Sequence, residues 1–157
     1  PKRSEAYDVP GNSHLTDAEK DARVARYYTP FKDALAQEIA QRDAPIIVTV
    51  HSFTPVYNGK SRDVEIGILH DSDSRLADAI LSHADTYDVR RNAPYGPEDG
   101  VTHTLKEHAV KHGHLNVMIE VRNDLIADAP AQTAMAKTLS SWVTQAITAV
   151  GAASCKA

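Results

Sequence analysis

Pro45-Ile46-Ile47-Val48-Thr49-Val50-His51-Ser52-Phe53-Thr54-Pro55 is a run of mostly β-branched residues that stops abruptly at a histidine. Branching at Cβ suits a pleated strand, and an apolar run without alternation suits one covered on both faces, as in a parallel sheet between helix layers. A second run, Leu115 to Asp124, ends in Glu120-Val121-Arg122-Asn123-Asp124. In open α/β sheets ligands sit at the carboxyl ends of strands. If the two runs are parallel neighbours, His51 and Glu120 both fall at that edge, and an imidazole and a carboxylate share one cleft.

The bulk numbers bound the rest. A chain of 157 residues is one domain by length, and hydrophobic and charged contents of 42% and 24% belong to an ordinary folded protein rather than a disordered one. No apolar run approaches the roughly 20 residues of a bilayer-spanning helix, and the polar start Pro1-Lys2-Arg3-Ser4 carries no signal-peptide pattern. The net charge of −4 argues against a nucleic-acid partner, which calls for a basic face. One cysteine, Cys155, cannot form an intrachain disulfide and fits a reducing, cytoplasmic setting. The expected partner is a small-molecule substrate, with no membrane and no nucleic acid. The chain does not begin with methionine, so a trimmed or truncated start is expected.

Pro1 to Ser13 reads as loop. Thr16-Asp17-Ala18-Glu19 has capping-box spacing, and from it a helix runs towards Arg42 with Val24, Tyr27, Tyr28, Phe31, Leu35 and Ile39 as an apolar stripe. Pro30 predicts a kink or break near Tyr28 and Thr29. Val56 to Arg62 reads as a loop turning at Asn58-Gly59, and Val64 to Leu69 as a second strand. Asp71 to Ser74 can cap a helix carrying Leu76, Ala79, Ile80 and His83. A short strand over Tyr87 to Arg90, a helix from about Thr102 to His112 ending at Gly113, the Leu115 to Val121 strand and a last helix from Pro130 to about Val150, stopped by Gly151, complete the pattern. Helices alternate with strands, so the class is α/β with a mainly parallel or mixed sheet between helix layers.

A histidine at a strand end is often structural; here Ser52 and Thr54 add hydroxyls and Pro55 stops the strand, leaving His51 at a rim where neutral imidazole can ligate zinc. Glu120 is the stronger oddity, an acid inside a strand whose neighbours are apolar. Burying it without a partner would cost several kcal/mol. It is either an ion-pair member with Arg122 or Arg62, or a general base directed at a water. Arg62, Arg122 and Asn123, clustered after two strand ends, can hold a substrate carboxylate through guanidinium forks and a side-chain amide. His108 and His112 share a helix face with His114 following, but Glu107 and Lys111 surround them and no metalloprotease motif is formed, so a solvated face is the reading there.

Val50-His51-Ser52-Phe53-Thr54-Pro55, Gly59 with Arg62, Ile66-Gly67-Ile68-Leu69, Asn92 with Pro94-Tyr95, and Ile119-Glu120-Val121-Arg122-Asn123-Asp124 resemble the N-formylglutamate amidohydrolase family, over most of the chain from about Pro10. That family is similar in turn to the zinc carboxypeptidases. The resemblance implies a zinc-carboxypeptidase-like fold of the phosphorylase/hydrolase type, with His51 as a zinc ligand, Glu120 as the base, and Arg62, Arg122, Asn123 and Tyr95 around the substrate. In those families a further histidine and glutamate lie upstream of the matching region, and nothing before His51 supplies them. The chain is thus expected to be either a single domain over residues 1–157 or the C-terminal portion of such a domain without its N-terminal strands. The implied activity is zinc-dependent cleavage of N-formyl-L-glutamate to formate and glutamate. The other readings are a zinc peptidase or deacylase with a different acyl group, and a non-catalytic small-ligand binding domain of the same fold.

Overall fold

A computed structural model describes residues 8–154; the loop reading of Pro1 to Tyr7 and the position of Cys155 lie outside them. Its centre is a four-stranded mixed sheet in the order β1-β6-β4-β5, formed by β1 (Ile47–Phe53), β4 (Ile66–Leu69), β5 (Val89–Arg91) and β6 (Asn116–Arg122). The two runs singled out by sequence are adjacent and parallel, as expected. β4 runs antiparallel to β6 and parallel to β5.

β6 is buried along nearly its whole length because both of its faces are covered. Val117, Ile119 and Val121 point one way, into a core with Ile66 and Ile68, with Leu76, Ala77 and Ile80 of α3 (Arg75–Leu81), and with Met135, Leu139, Trp142 and Ala146 of α5 (Ala129–Ser154). Met118 points the other way, with Ile47 and Leu69, against Leu105 of α4 (His103–His108) and Ala109. Each aliphatic side chain taken fully from water on these faces contributes about 1.5–3 kcal/mol. Tyr87 meets Trp142 edge-to-face at 6.3 Å and closes the rim of the first layer.

The amino-terminal helices follow the sequence reading at their start and depart from it further on. Thr16 and Glu19 form the expected capping box: Glu19 Oε2 accepts from the Thr16 amide at 2.8 Å and Thr16 Oγ1 accepts from the Glu19 amide at 3.3 Å. Pro30 causes no break. Between α1 (Asp17–Arg23) and α2 (Thr29–Ala40) the helix widens into a π turn over Val24–Tyr28, with the Thr29 amide donating to Val24 five residues back. Pro30 then falls in the first turn of α2, where a missing N–H costs nothing. The apolar stripe is also not core. Val24, Tyr27 and Phe31 are 48%, 64% and 61% exposed, because α1 and the π turn stand away from the sheet. Only further along does α2 approach it, where Ile39 joins the α4 side of the core.

Several bounds shift. Val56 to Ser61 is a hairpin, β2 (Val56–Tyr57) with β3 (Lys60–Ser61), where a loop is expected. Asn58 and Gly59 have φ of 50° and 75°, the left-handed pair that a two-residue hairpin turn requires. Within the Asp71 to Ser74 stretch expected to cap α3, Ser74 holds the N-cap position without a side-chain cap bond, and Asp73 Oδ1 accepts from the Arg75 amide at 3.1 Å. The helix before β6 ends sooner than expected; a 3-10 turn, Val110–His112, follows it and closes at Gly113 with φ 70°. α5 continues through Gly151 to Ser154, since one glycine in an exposed helix costs only about 1 kcal/mol.

Candidate functional site

His51 and Glu120 are direct partners across the β1–β6 pair. Side chains at matched positions of parallel strands project to the same face, so both lie on the α4 side of the sheet, near the carboxyl end of each strand. Their surroundings differ. β1 is the edge of the sheet and His51 is exposed, whereas Glu120 sits on a central strand and is only 5% exposed. On its other side Glu120 is opposite Gly67 of β4. A Cβ on Gly67 would lie 2.0 Å from the Ala93 carbonyl oxygen. The glycine therefore lets the segment from Asn92 to Tyr95, which includes a cis Ala93–Pro94 bond, cross the sheet directly beside Glu120. Asn92 fastens that segment: its amide donates to the Ile68 carbonyl at 3.0 Å and its Oδ1 accepts from the His70 amide at 2.9 Å.

Phe53, two residues past His51 on the same face, is buried and meets Tyr95 edge-to-face at 6.5 Å. The Arg62 guanidinium carbon lies 5.5 Å from the Phe53 ring, 5.2 Å from Tyr95 and 4.7 Å from Tyr57. Arg62 Nη1 donates to the Thr54 carbonyl at 3.1 Å, and the Arg62 amide donates to the Pro55 carbonyl at 2.8 Å. A cation is thus held in a box with three aromatic walls beside the His51–Glu120 pair. Each wall adds about 0.5–1 kcal/mol where partly exposed and more where dry.

Arg122 is placed differently from Arg62. Its Nη1 donates to the carbonyls of Arg62 at 3.2 Å and Asp63 at 3.0 Å, Nε donates to Asp124 at 2.8 Å, and Nη2 faces Glu65 at 3.5 Å. The Asp124 carboxylate bound to it raises the already high pKa of Arg122, burial opposing, and Asp124 is lowered in return. Arg122 is tied to the backbone that carries Arg62. Asn123 lies exposed on the following 3-10 turn, Asn123–Ile126, and among the described residues no hydrogen bond links it to the Arg62 box.

The histidines at and after the end of α4 form a separate feature. His108, His112 and His114 line a hollow of about 360 Å³ with Ala36, Ile39, Pro45 and Arg42. Burial holds the His108 pKa below its usual value, the Glu107 charge opposing and His103 adding to the shift. Among the described residues no group of three or more His, Cys, Asp or Glu side chains is arranged to hold a metal ion, here or around His51. Nor is any helix among them long and apolar enough to cross a membrane.

The model of the N-formylglutamate amidohydrolase family matches residues 1–127. The chain belongs to that family. Membership makes this N-formylglutamate amidohydrolase family chain part of a hydrolase family. The crystal structure of gene product Atu2144 from Agrobacterium tumefaciens matches it with a TM-score of 0.88 and 54% identity, over 96% of this chain and 62% of that one. The chain spans less than two thirds of the length of that protein. Among curated proteins there is no match.

Some of this family member's site was not singled out from sequence. Tyr57 lies in a stretch whose sequence reads as loop, and Phe53 and Gly67 enter that reading only within motifs. Each carries a signal: Phe53 has the same strand parity as His51, Tyr57 immediately precedes an Asn-Gly turn, and an isolated glycine inside an apolar strand marks a close backbone approach.

Proposed function

We propose that the whole protein hydrolyses the amide of a small N-acyl amino acid, with N-formyl-L-glutamate as substrate and formate and glutamate as products. The observation that supports this best is the in-register placement of His51 and Glu120 on one sheet face, beside the aromatic-walled Arg62. Glu120 is the general base: its carboxylate takes a proton from the attacking water and delivers it to the leaving amine nitrogen as the C–N bond breaks. Its burial beside the crossing segment keeps bulk water from competing for that proton. Arg62 pairs with a substrate carboxylate, its plane set by the rings around it. Arg122 acts through Arg62, bracing the carbonyls of the segment that bears it, while Tyr95 and Asn123 border the substrate.

The carboxypeptidase-like reading brings zinc with it, an ion that polarises the acyl oxygen and acidifies a water when bound. His51 would supply one ligand to it. A zinc site takes three or four protein ligands, and the described residues offer no such group, so they do not fit a complete site and every step above is assigned to the chain's own side chains. The same observation favours a second reading, a non-catalytic domain that binds small carboxylates in the Arg62 box. In either reading the compartment proposed is the cytoplasm.

Formate release from N-formylglutamate by the full gene product separates the two. In the catalytic reading Glu120→Gln, which keeps the shape and cannot accept the proton, lowers turnover by roughly 10² to 10⁴ while the circular dichroism spectrum is unchanged. Near-normal turnover would remove Glu120 from the mechanism, and no release by the wild type would favour the binding domain.

A further inference from the structure

The Arg62 box has two fixed walls and one that depends on a small element. Phe53 belongs to β1 and is buried, and Tyr95 packs against it at 86°. Tyr57 belongs to a hairpin with two residues in each strand. Hairpins of that size have almost no stability of their own, and Val56 and Tyr57 are both exposed rather than anchored in the core. The base of the hairpin is fixed by two contacts. The Arg62 amide donates to the Pro55 carbonyl at 2.8 Å, and Thr54 Oγ1 donates to the Val56 carbonyl at 3.0 Å. Above that base the contact that lays the hairpin against the domain is the Tyr57 ring on the guanidinium, the shortest of the three ring distances.

We infer that Tyr57 is a positioning residue: by stacking on Arg62 it sets the guanidinium plane for pairing with a substrate carboxylate. The inference rests on the reading of Arg62 given above. A guanidinium fork pairs with a carboxylate only when the two groups are coplanar. Arg62 Nη1 is tethered to the Thr54 carbonyl at 3.1 Å and two ring walls meet near a right angle, which leaves one side of the group for a third ring. Tyr57 occupies that side. Because the stacking face of the ring is what acts, phenylalanine should serve nearly as well as tyrosine, whereas a side chain without a ring should not.

The test uses binding rather than turnover, so that it is independent of whether the protein is a catalyst. Calorimetric titration of the full gene product with L-glutamate, and with its two mono-amides L-glutamine and L-isoglutamine, is compared for wild type, Tyr57→Ala and Tyr57→Phe. Tyr57→Ala should weaken L-glutamate binding about two- to fivefold, the loss expected for one partly exposed cation–ring contact, and Tyr57→Phe should restore it. The mono-amide that lacks the carboxylate held by Arg62 should bind wild type and Tyr57→Ala equally, which also reveals which carboxylate that is. Equal losses for all three ligands would show a merely structural role and overturn the inference, as would unchanged L-glutamate binding, failure of phenylalanine to rescue, or no binding of any of the three by the wild type. The formate assay reports separately on catalysis: inactivity with the binding pattern intact would sink the enzyme reading and leave the role of Tyr57 standing.

Discussion

Gly67→Ala tests the architecture of the site most directly, because the clash it creates is with backbone. The new Cβ would sit 2.0 Å from the Ala93 oxygen and 2.8 Å from Leu69 Cδ1. The leucine can turn aside, but the carbonyl must retreat by about 1 Å to reach 3.0 Å, the shortest approach real Cβ atoms make. That retreat pulls on the two Asn92 hydrogen bonds that hold the crossing segment to β4, each worth about 1 kcal/mol. Overpacking itself adds about 1–3 kcal/mol, so the expected loss is about 3 kcal/mol. With a urea slope of about 2 kcal/mol per molar, the unfolding midpoint should fall by about 1.5 M with its slope unchanged. Gly11→Ala is the control, since nothing lies within 4 Å of its new methyl, and should fall within about 0.5 kcal/mol of wild type. A Gly67→Ala midpoint equal to that of the control would refute the reasoning, showing that the Asn92–Tyr95 segment does not press on the sheet beside Glu120.

Arg122→Met removes the donors that brace the Arg62 and Asp63 carbonyls and leaves Glu65 and Asp124 without their cation; a stability loss of about 3 kcal/mol is expected. A substrate clamp that did nothing else would leave the urea midpoint where it was. His108 titrates below its usual value, chiefly through burial. The unfolded chain therefore binds its proton more readily, and the contribution of this residue to stability is intact above about pH 6.5 and is lost as pH falls below that. Urea midpoints measured from pH 7.5 to 5 should decline less steeply for His108→Leu than for wild type, and parallel declines would remove His108 as the cause.

What was legible in the sequence and what was not divide along physical lines. The β1 and β6 runs are continuous, rich in β-branched residues and bounded by proline or charge, so the existence of the two strands follows from local signals, and the meeting of His51 with Glu120 follows once the strands are taken as parallel neighbours. Long-range packing is another matter. Val24, Tyr27 and Phe31 have helical spacing but lie exposed, because periodicity shows which residues share a face and not whether anything covers that face. Pro30 broke no helix, since a π turn placed it where its missing N–H does not matter. Arg62 and Arg122 look alike in sequence, each an arginine after a strand. Only the fold separates one boxed by rings from one tied to carbonyls. Tyr57 was hidden for the same reason, its partner being chosen by the way a two-residue turn folds back.

The pairing of β1 with β6 also has a temporal side. His51 and Glu120 are some seventy residues apart in the chain yet occupy matched positions in adjacent strands, so the site rests on one of the most distant contacts in the fold. Closing so long a loop is entropically unfavourable until the partner strand arrives, and contacts of this kind slow folding. During synthesis the His51 strand emerges well before the strand that will cover its inner edge. Until then an apolar, β-branched segment has both backbone edges open, a template for association with other chains. The strand that bears the imidazole is therefore also a segment open to association with other chains while the ribosome completes β6.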